Sequence, residues 1–566
     1  MRAARTFLPI LEWLPTYRWN DLRWDMQAGL TVGVMLVPQG MAYSLLAGLP
    51  PIYGLYSGIV PVIIYALFGS SRHLSVGPVA LVSLLVVSGL SEMAAPGSER
   101  FIVLAIETAF LAGAIQVLLG FFRLGFMVNF LAHPVMSGFT SAAAFIIGVS
   151  QLKYLLGIPL PQSNQIQVIG AALFAHIGEV HWITLLMGLA GIALILVLRR
   201  IRRTLPTGLI AITLGIISVM VFSLDSYGVD IVKEVPRGLP AFVSPITSWE
   251  DIKQLFPLSL TICLISFIES LAISRTLEAK HKTYKVIPNQ ELIALGISKL
   301  VGAFFQAFPT TGSFTRSAVN EASGARTGMS ALIMALIMAL TLLFLTPFFY
   351  FLPKALLASV IIAAVVSLVD YKEALRLWKN DRRDFYILIA TFLFTLTLGI
   401  QSGVLIGVVL SLAMMLYSNS RPHVALLGRL PNTSNYRNIS RFGEAEQRSD
   451  VLIFRFDAQL YFGNANFFQE RIEQALHSEG DALKVFVLDA SSISEVDSSG
   501  IIALENVWGM LRARRVTLLL ADVIGPVRDK LRRFGLLEAI GEAHLFFSVH
   551  EAVSAYDANK LSESIQ

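Results

Sequence analysis

The chain has 566 residues, 55% of them hydrophobic and 15% charged, with a formal net charge of +5. That balance excludes an ordinary soluble globular protein, and a single cysteine, Cys263, excludes a disulfide framework or a cysteine metal site. The basic excess would suit nucleic acid, but the cations sit in alternate loops between apolar segments, so no nucleic-acid partner is expected.

The first 24 residues carry Arg2, Arg5, Arg18 and Arg23 among Trp13, Trp19 and Trp24. They hold no uninterrupted apolar run and no small-residue cleavage site, so they read as a cytoplasmic interfacial lead-in and not as a signal peptide. Apolar segments follow at 28–46, 52–68, 74–91, 101–121, 127–152, 180–198, 206–224, 256–275, 288–306, 312–325, 327–351, 354–369, 384–399 and 401–418. They amount to about fourteen membrane spans, several short or broken. With the N-terminus inside, the inner loops hold Arg72, Arg123, Arg199, Arg200, Arg202, Arg203, Arg275, Lys280, Lys282, Lys285, Lys372, Arg376, Lys379, Arg382 and Arg383. The outer loops hold little besides Arg100, Lys153 and Lys354, and the net-acidic segment 225–255 falls outside. Losing one span would scramble this alternation.

Two spans share an unusual shape. Ser75-Val76-Gly77-Pro78-Val79-Ala80 and Thr310-Thr311-Gly312-Ser313-Phe314-Thr315 each combine a glycine-containing break with a short helical stretch. Seven spans separate them, an odd number, so the halves insert with opposite orientation, and matched broken helices in inverted repeats point to a transporter's binding site. Each helix start offers free N–H groups and roughly half a positive charge, so two such ends supply about +1 and suit an anion. Close to the second lies Arg316, an intramembrane cation that marks either a functional site or a structural pair with Glu321 or Glu269. The hydroxyls of Ser83, Ser313, Thr315 and Ser317 can donate to an oxyanion or bond their own backbone. Glu269, deep in the eighth span, is a proton carrier by type or a carboxylate bonded to backbone N–H. Gln39 and Tyr43, beside Pro38 on the first span, line the same cavity or serve helix packing. Lys299 and Lys153 read as snorkelling or paired.

From Val451 onward, apolar strands alternate with amphipathic stretches, which gives a small α/β domain. The divisions expected are a lead-in 1–24, a membrane domain 25–420, a linker 421–445, the α/β domain 446–555 and a disordered tail 556–566. No catalytic constellation, Walker motif or metal-ligand spacing appears, so an enzyme, a bound metal or cofactor and ATP-driven transport are not expected.

At this point a family resemblance becomes specific. Pro51-Ile52-Tyr53-Gly54-Leu55-Tyr56-Ser57, followed by Tyr65 and Gly69-Ser70-Ser71-Arg72, resembles the signature of the sulfate permease (SulP) family. Pro309-Thr310-Thr311-Gly312-Ser313-Phe314-Thr315-Arg316-Ser317-Ala318-Val319-Asn320 is similar to that family's tenth span, and Phe267-Ile268-Glu269-Ser270 is most similar to plant-type sulfate transporters. The resemblance implies a polytopic helical membrane protein built as a seven-plus-seven inverted repeat, in which a core domain moves against a gate domain. It implies substrate binding at Gly77, Gly312, Ser313, Thr315 and Arg316, with Gln39 near, and association as a homodimer in the plasma membrane with both termini cytoplasmic. An acidic residue of the eighth span serves a cation site in sodium-coupled relatives, so Glu269 leaves proton and sodium coupling both open. Val496-Asp497-Ser498-Ser499-Gly500 resembles the STAS domain shared by sulfate transporters and anti-sigma-factor antagonists. Ser498 and Ser499 match in type a serine phosphorylated in soluble relatives, which implies a regulatory protein partner, although Asp497 and both serines also suit a plain helix cap.

The sequence reads as a secondary active, proton-coupled sulfate importer, with a sodium-coupled bicarbonate transporter or an anion exchanger or channel of the same fold as alternatives. Charge balance tilts the choice toward sulfate over bicarbonate and leaves chloride and dicarboxylates open. Two helix ends and Arg316 make the empty site roughly +2, or about +1 with Glu269 ionised, and a dianion with Glu269 protonated brings the total near zero.

Overall fold

The computed structural model describes residues 8–126, 132–161, 166–201, 206–246, 248–478 and 482–558. The expectations for Arg2, Arg5, Arg202 and Arg203, for the opening of the fifth span and for residues 559–566 of the tail lie outside these. The chain divides into two compact units, Met1–Ser411 and Leu412–Gln566.

Over the described residues every expected span falls on helix, the last on Ile400–Ser420, which runs past Ser411 into the second unit. Eight helices among the described residues are long and apolar enough to cross a membrane, fewer than fourteen because the other spans are short helices, half-helices or a helix with a charged first turn. Two helices of ten residues or more were not expected: Ile166–His176 after the fifth span and Tyr371–Asn380 after the twelfth. They stand seven spans apart, as the repeat requires. The cations that depart from the expected alternation have partners: Arg100 pairs with Asp251 and Lys354 with Asp230 at 2.9 Å, while Lys153 stacks on Tyr154.

The broken segments meet as predicted. β1 (Val76–Gly77) pairs antiparallel with β2 (Thr311–Gly312), Val76 opposite Gly312 and Gly77 opposite Thr311. The two segments therefore run in opposite directions, cross, and continue as helices Ala80–Leu90 and Phe314–Ala322. Spans one to four pack with eight to eleven: Glu99–Phe121 lies along Pro288–Ala303, and Trp19–Leu46 along Met329–Leu340. A Cβ on Gly113 would stand 2.7 Å from the Gly296 carbonyl oxygen, so glycine at both positions permits the backbone contact that locks the fourth span to the ninth. Spans five and thirteen, and six and twelve, pack as a second group.

The second unit holds a six-stranded sheet in the order β4-β3-β5-β6-β7-β8, with β3 (Val424–Arg429), β4 (Tyr436–Asn438), β5 (Val451–Phe456), β6 (Val485–Asp489), β7 (Thr517–Ala521) and β8 (Leu545–Phe546). β5 to β8 are parallel, and β3 is antiparallel to β4 and β5. Alternate residues of β5 serve opposite faces: Leu452, Phe454 and Phe456 pack on Phe468, Ile472 and Leu504, whereas Val451 and Ile453 face Val549, Ala552 and Val553. The segment 421–445 is not a linker, because it supplies β3 and β4, and Ala425 and Leu427 of the short apolar run Val424 to Leu427 bury their side chains.

A chain ended after Ser420 keeps every span and drops the whole sheet, whereas one ended after Arg429 leaves β3 without its partner strands. We expect the shorter chain to reach membranes and elute as one species in detergent, and the longer one to aggregate on the same size-exclusion column. Failure of the shorter chain to insert would contradict this division.

Candidate functional site

The site lies where the two half-helices begin. Helix Ala80–Leu90 starts without a side-chain cap, so its first-turn N–H groups lack intrahelical partners. Helix Phe314–Ala322 is capped by Ser313, whose Oγ accepts from Arg316 N at 3.4 Å, leaving the N–H groups of Phe314 and Thr315. Ser313 N donates to Ser75 O at 2.9 Å and Ser75 N donates to Ser317 Oγ at 2.8 Å, which binds the two crossings together. Ser317 thus helps to position the first crossing.

Arg316 is fully buried (0% exposed). Its Nη1 donates to Pro78 O at 2.9 Å and, at 3.4 Å, to Gln39 Oε1, while Nε and Nη2 have no hydrogen-bond partner. No ion pair forms with Glu321, which is held by Lys280 at 2.7 Å and His281 at 3.2 Å, nor with Glu269. The expected alternative of a structural pair with Glu321 is therefore not found among the described residues. A Cβ on Gly77 would stand 3.2 Å from Nη2, so glycine there keeps open the space that this nitrogen faces. Ser83 is buried with an unpartnered Oγ, and Thr310, which sequence reasoning passed over, is the same. Gln39 and Tyr43 are buried on Trp19–Leu46, and Tyr43 stands within electrostatic range of Arg316 and Glu269. Thr315 is half-buried in the first turn.

Glu269 sits on Trp249–His281, and its Oε2 has no hydrogen-bond partner. It lies within electrostatic range of Arg316 and lines a cavity of about 760 Å³ that also meets Arg123, His133, Arg275 and Asn289. Around it the eighth span is stitched to the second crossing by hydroxyls: Thr311 Oγ1 donates to Ser266 O at 2.9 Å, and Gly312 N donates to Ser270 Oγ at 2.9 Å. Lys299 is buried and pairs with a neutral group, donating to Gln116 Oε1 at 2.8 Å, and Gln116 Nε2 donates to Ser266 Oγ at 3.0 Å. Sequence reasoning missed Ser266, Ser270, Thr311 and Gln116. It also missed Glu291, fully buried, which accepts from Tyr65 OH, Ser70 N and Oγ, and Ser71 N, and so fixes the turn before the first crossing. The signal for Glu291 was a carboxylate in the first turn of an apolar span, facing a Gly-Ser-Ser turn in need of an acceptor.

In the second unit Asp497 caps helix Ser498–Ala513, Oδ1 accepting from Gly500 N at 2.8 Å and Oδ2 from Phe462 N at 2.9 Å. Ser498 is exposed in the first turn and Ser499 half-buried beside it. Asp497→Ala removes both bonds and should lower stability by about 1–2 kcal/mol; an unchanged melting temperature of the second unit's transition would contradict the capping role.

Crossed half-helices around a buried arginine without an ion pair among the described residues, with a six-stranded α/β domain following, define a polytopic helical membrane protein with a C-terminal α/β domain. The sulfate permease family profile matches residues 22–391 and the STAS domain profile residues 443–552, and the chain belongs to the sulfate permease family. Among its relatives, "Sulfate transporter 4.1, chloroplastic" of Arabidopsis thaliana is 41% identical over 97% of this chain and 82% of its own length. "High affinity sulfate transporter 2" of Stylosanthes hamata is 37% identical over 97% of this chain and 86% of its own. The solved structure of SLC26A9 aligns with a TM-score of 0.89 at 27% identity over all of this chain and 95% of that one. The transmembrane domain of the cyanobacterial bicarbonate transporter BicA shares the fold, with a TM-score of 0.61 at 23% identity over 70% of this chain and 98% of that domain.

Proposed function

We propose that the chain is a secondary active carrier of a small inorganic anion, sulfate, by alternating access, with a proton as the coupling ion at Glu269. The observation that carries this reading is the buried Arg316 guanidinium, which presents Nε and Nη2 without partners between two helix N-termini. A buried charge left in that state is costly, and a ligand with several oxyanion oxygens relieves it by accepting from both nitrogens and from the helix ends. Sulfate transporter relatives at 37–41% identity support the same substrate class. In this reading the chain acts without a cofactor, works as a homodimer in the plasma membrane with both termini and the basic loops cytoplasmic, and receives a regulatory protein at its STAS domain. Sodium is the alternative coupling ion, since Glu269 is a carboxylate in either case.

The test is uptake of radiolabelled sulfate into proteoliposomes, with and without a pH gradient, in sodium-free and sodium-containing media, competed by bicarbonate, chloride and dicarboxylates. Sulfate uptake accelerated by an inward proton gradient without sodium is the expected result. Uptake of bicarbonate with a strict sodium requirement would replace this reading with the sodium-coupled one.

A further inference from the structure

The cavity beneath Glu269 opens among residues of the basic loops, and its charges are unequal in one respect. Arg275 pairs with Glu278 at 3.6 Å, and His133 faces Glu373 at 3.4 Å, a carboxylate also held by Arg376. Glu269 is the carboxylate of the lining, and Arg123 is the lining cation for which the described residues provide no ion pair. Arg123 also departs from backbone preference. It follows helix Glu99–Phe121 with φ of 58°, the left-handed conformation in which glycine usually ends a helix. The turn around it is held, Arg123 N donating to Gly120 O at 3.1 Å and Gly125 N donating to Asn289 Oδ1 at 2.8 Å, so the strained residue has a fixed place at the cavity. A long charged side chain kept where glycine is easier, unpaired and on a cavity wall, is explained by what its charge does in the cavity.

We propose that Arg123 recruits the anion into this vestibule, raising its concentration on the basic-loop side of the path to Arg316. The inference rests on the transport reading for its ligand. A cation without an ion pair among the described residues, on the wall of a cleft, attracts anions and repels cations near it, and salt weakens the effect.

The test replaces Ala272, which lines the cavity one turn from Glu269, with cysteine. The chain without that substitution, whose one thiol at Cys263 is buried, supplies the background. The reaction rates of Ala272→Cys with anionic sulfonatoethyl and cationic trimethylammonioethyl methanethiosulfonate are then compared. Adding Arg123→Gly, which suits the left-handed backbone, should lower the anionic-to-cationic rate ratio by about fivefold at low salt and by much less at about 0.5 M. Arg123→Lys should hold the ratio near its original value. A ratio unmoved by Arg123→Gly overturns the proposal. This measurement needs no transport, so a chain that carries no sulfate at all defeats the transport reading while the thiol ratio still decides the role of Arg123. In sulfate exchange, Arg123→Gly should raise the half-saturating concentration on the basic-loop side several-fold and leave the opposite side unchanged. A defect seen only in vesicles containing anionic lipid would mean that Arg123 holds a headgroup, and would also overturn the proposal.

Discussion

Arg316→Ala is expected to abolish sulfate binding by the purified protein while leaving it folded and inserted in the membrane. The guanidinium lies at the crossing of the half-helices, its Nη2 3.2 Å from where a Cβ on Gly77 would stand, and the remaining helix ends, at roughly half a charge each, cannot replace the hydration shell a dianion gives up. Truncating one partner of a desolvated charge pair removes about 3 kcal/mol or more, which raises the dissociation constant by about a hundredfold at least. Thermal unfolding separates this loss from misfolding. In the wild-type chain sulfate should raise the melting temperature, because ligand binds only the native state. In Arg316→Ala the sulfate effect should vanish, yet the anion-free melting temperature should stay close to that of the wild type. That follows from the geometry: the substitution gives up two hydrogen bonds, to Pro78 O and Gln39 Oε1, but also removes a buried charge with two unsatisfied nitrogens. Arg316→Lys should recover binding in part, since an ammonium lacks the fork that reaches two oxygens at once. Sulfate affinity within about threefold of wild type in Arg316→Ala would move the site elsewhere.

The residues legible in the sequence were those that a membrane makes expensive. Arg316 and Glu269 stand out because a charge in hydrocarbon needs a reason, and the two crossings stand out because glycine breaks in matched positions are rare. What escaped notice was inexpensive or distant. Ser266, Ser270 and Thr311 carry hydroxyls that in most membrane helices bond the preceding turn, so nothing local marks them as the stitches between the eighth span and β2. Glu291 could be read as charged but not as satisfied, because its donors at Tyr65, Ser70 and Ser71 lie more than 200 residues away in sequence. Ser317, read as an anion ligand, also accepts from Ser75 N and so fixes the first crossing, a role nothing local in the sequence marks. β3 and β4 were hidden by their shortness: the apolar run of β3, Val424 to Leu427, is four residues long, and β4 is three residues with Tyr436 as its one large apolar side chain.

Glu269→Gln is expected to uncouple uptake from the proton gradient while leaving sulfate exchange intact. The driving force sets the requirement. Moving a dianion inward against about 100 mV, negative inside, costs roughly 4.6 kcal/mol at about 2.3 kcal/mol per charge, so accumulation needs cations that enter with it. Glu269 is well placed to carry one, within electrostatic range of Arg316, with Oε2 free of hydrogen bonds, and on a cavity that opens among the basic loops. With its proton on, the site's positive charge is available to a dianion in full; with the proton released into that cavity, the carboxylate competes with sulfate for Arg316 and favours its departure. A single proton still leaves the loaded carrier with net negative charge to move, so uptake should depend steeply on the pH gradient. Wild-type uptake should therefore rise as external pH falls from about 8 to about 6, whereas Glu269→Gln, a permanent likeness of the protonated side chain, should show a flat profile over the same range. Exchange of internal for external sulfate needs no net proton movement and should persist in the variant, which distinguishes uncoupling from a damaged site. Both modes are measured in sodium-free liposomes. Accumulation that still follows the pH gradient in Glu269→Gln would assign the proton to another group, and a flat wild-type profile that sodium alone can lift would assign this carboxylate to sodium.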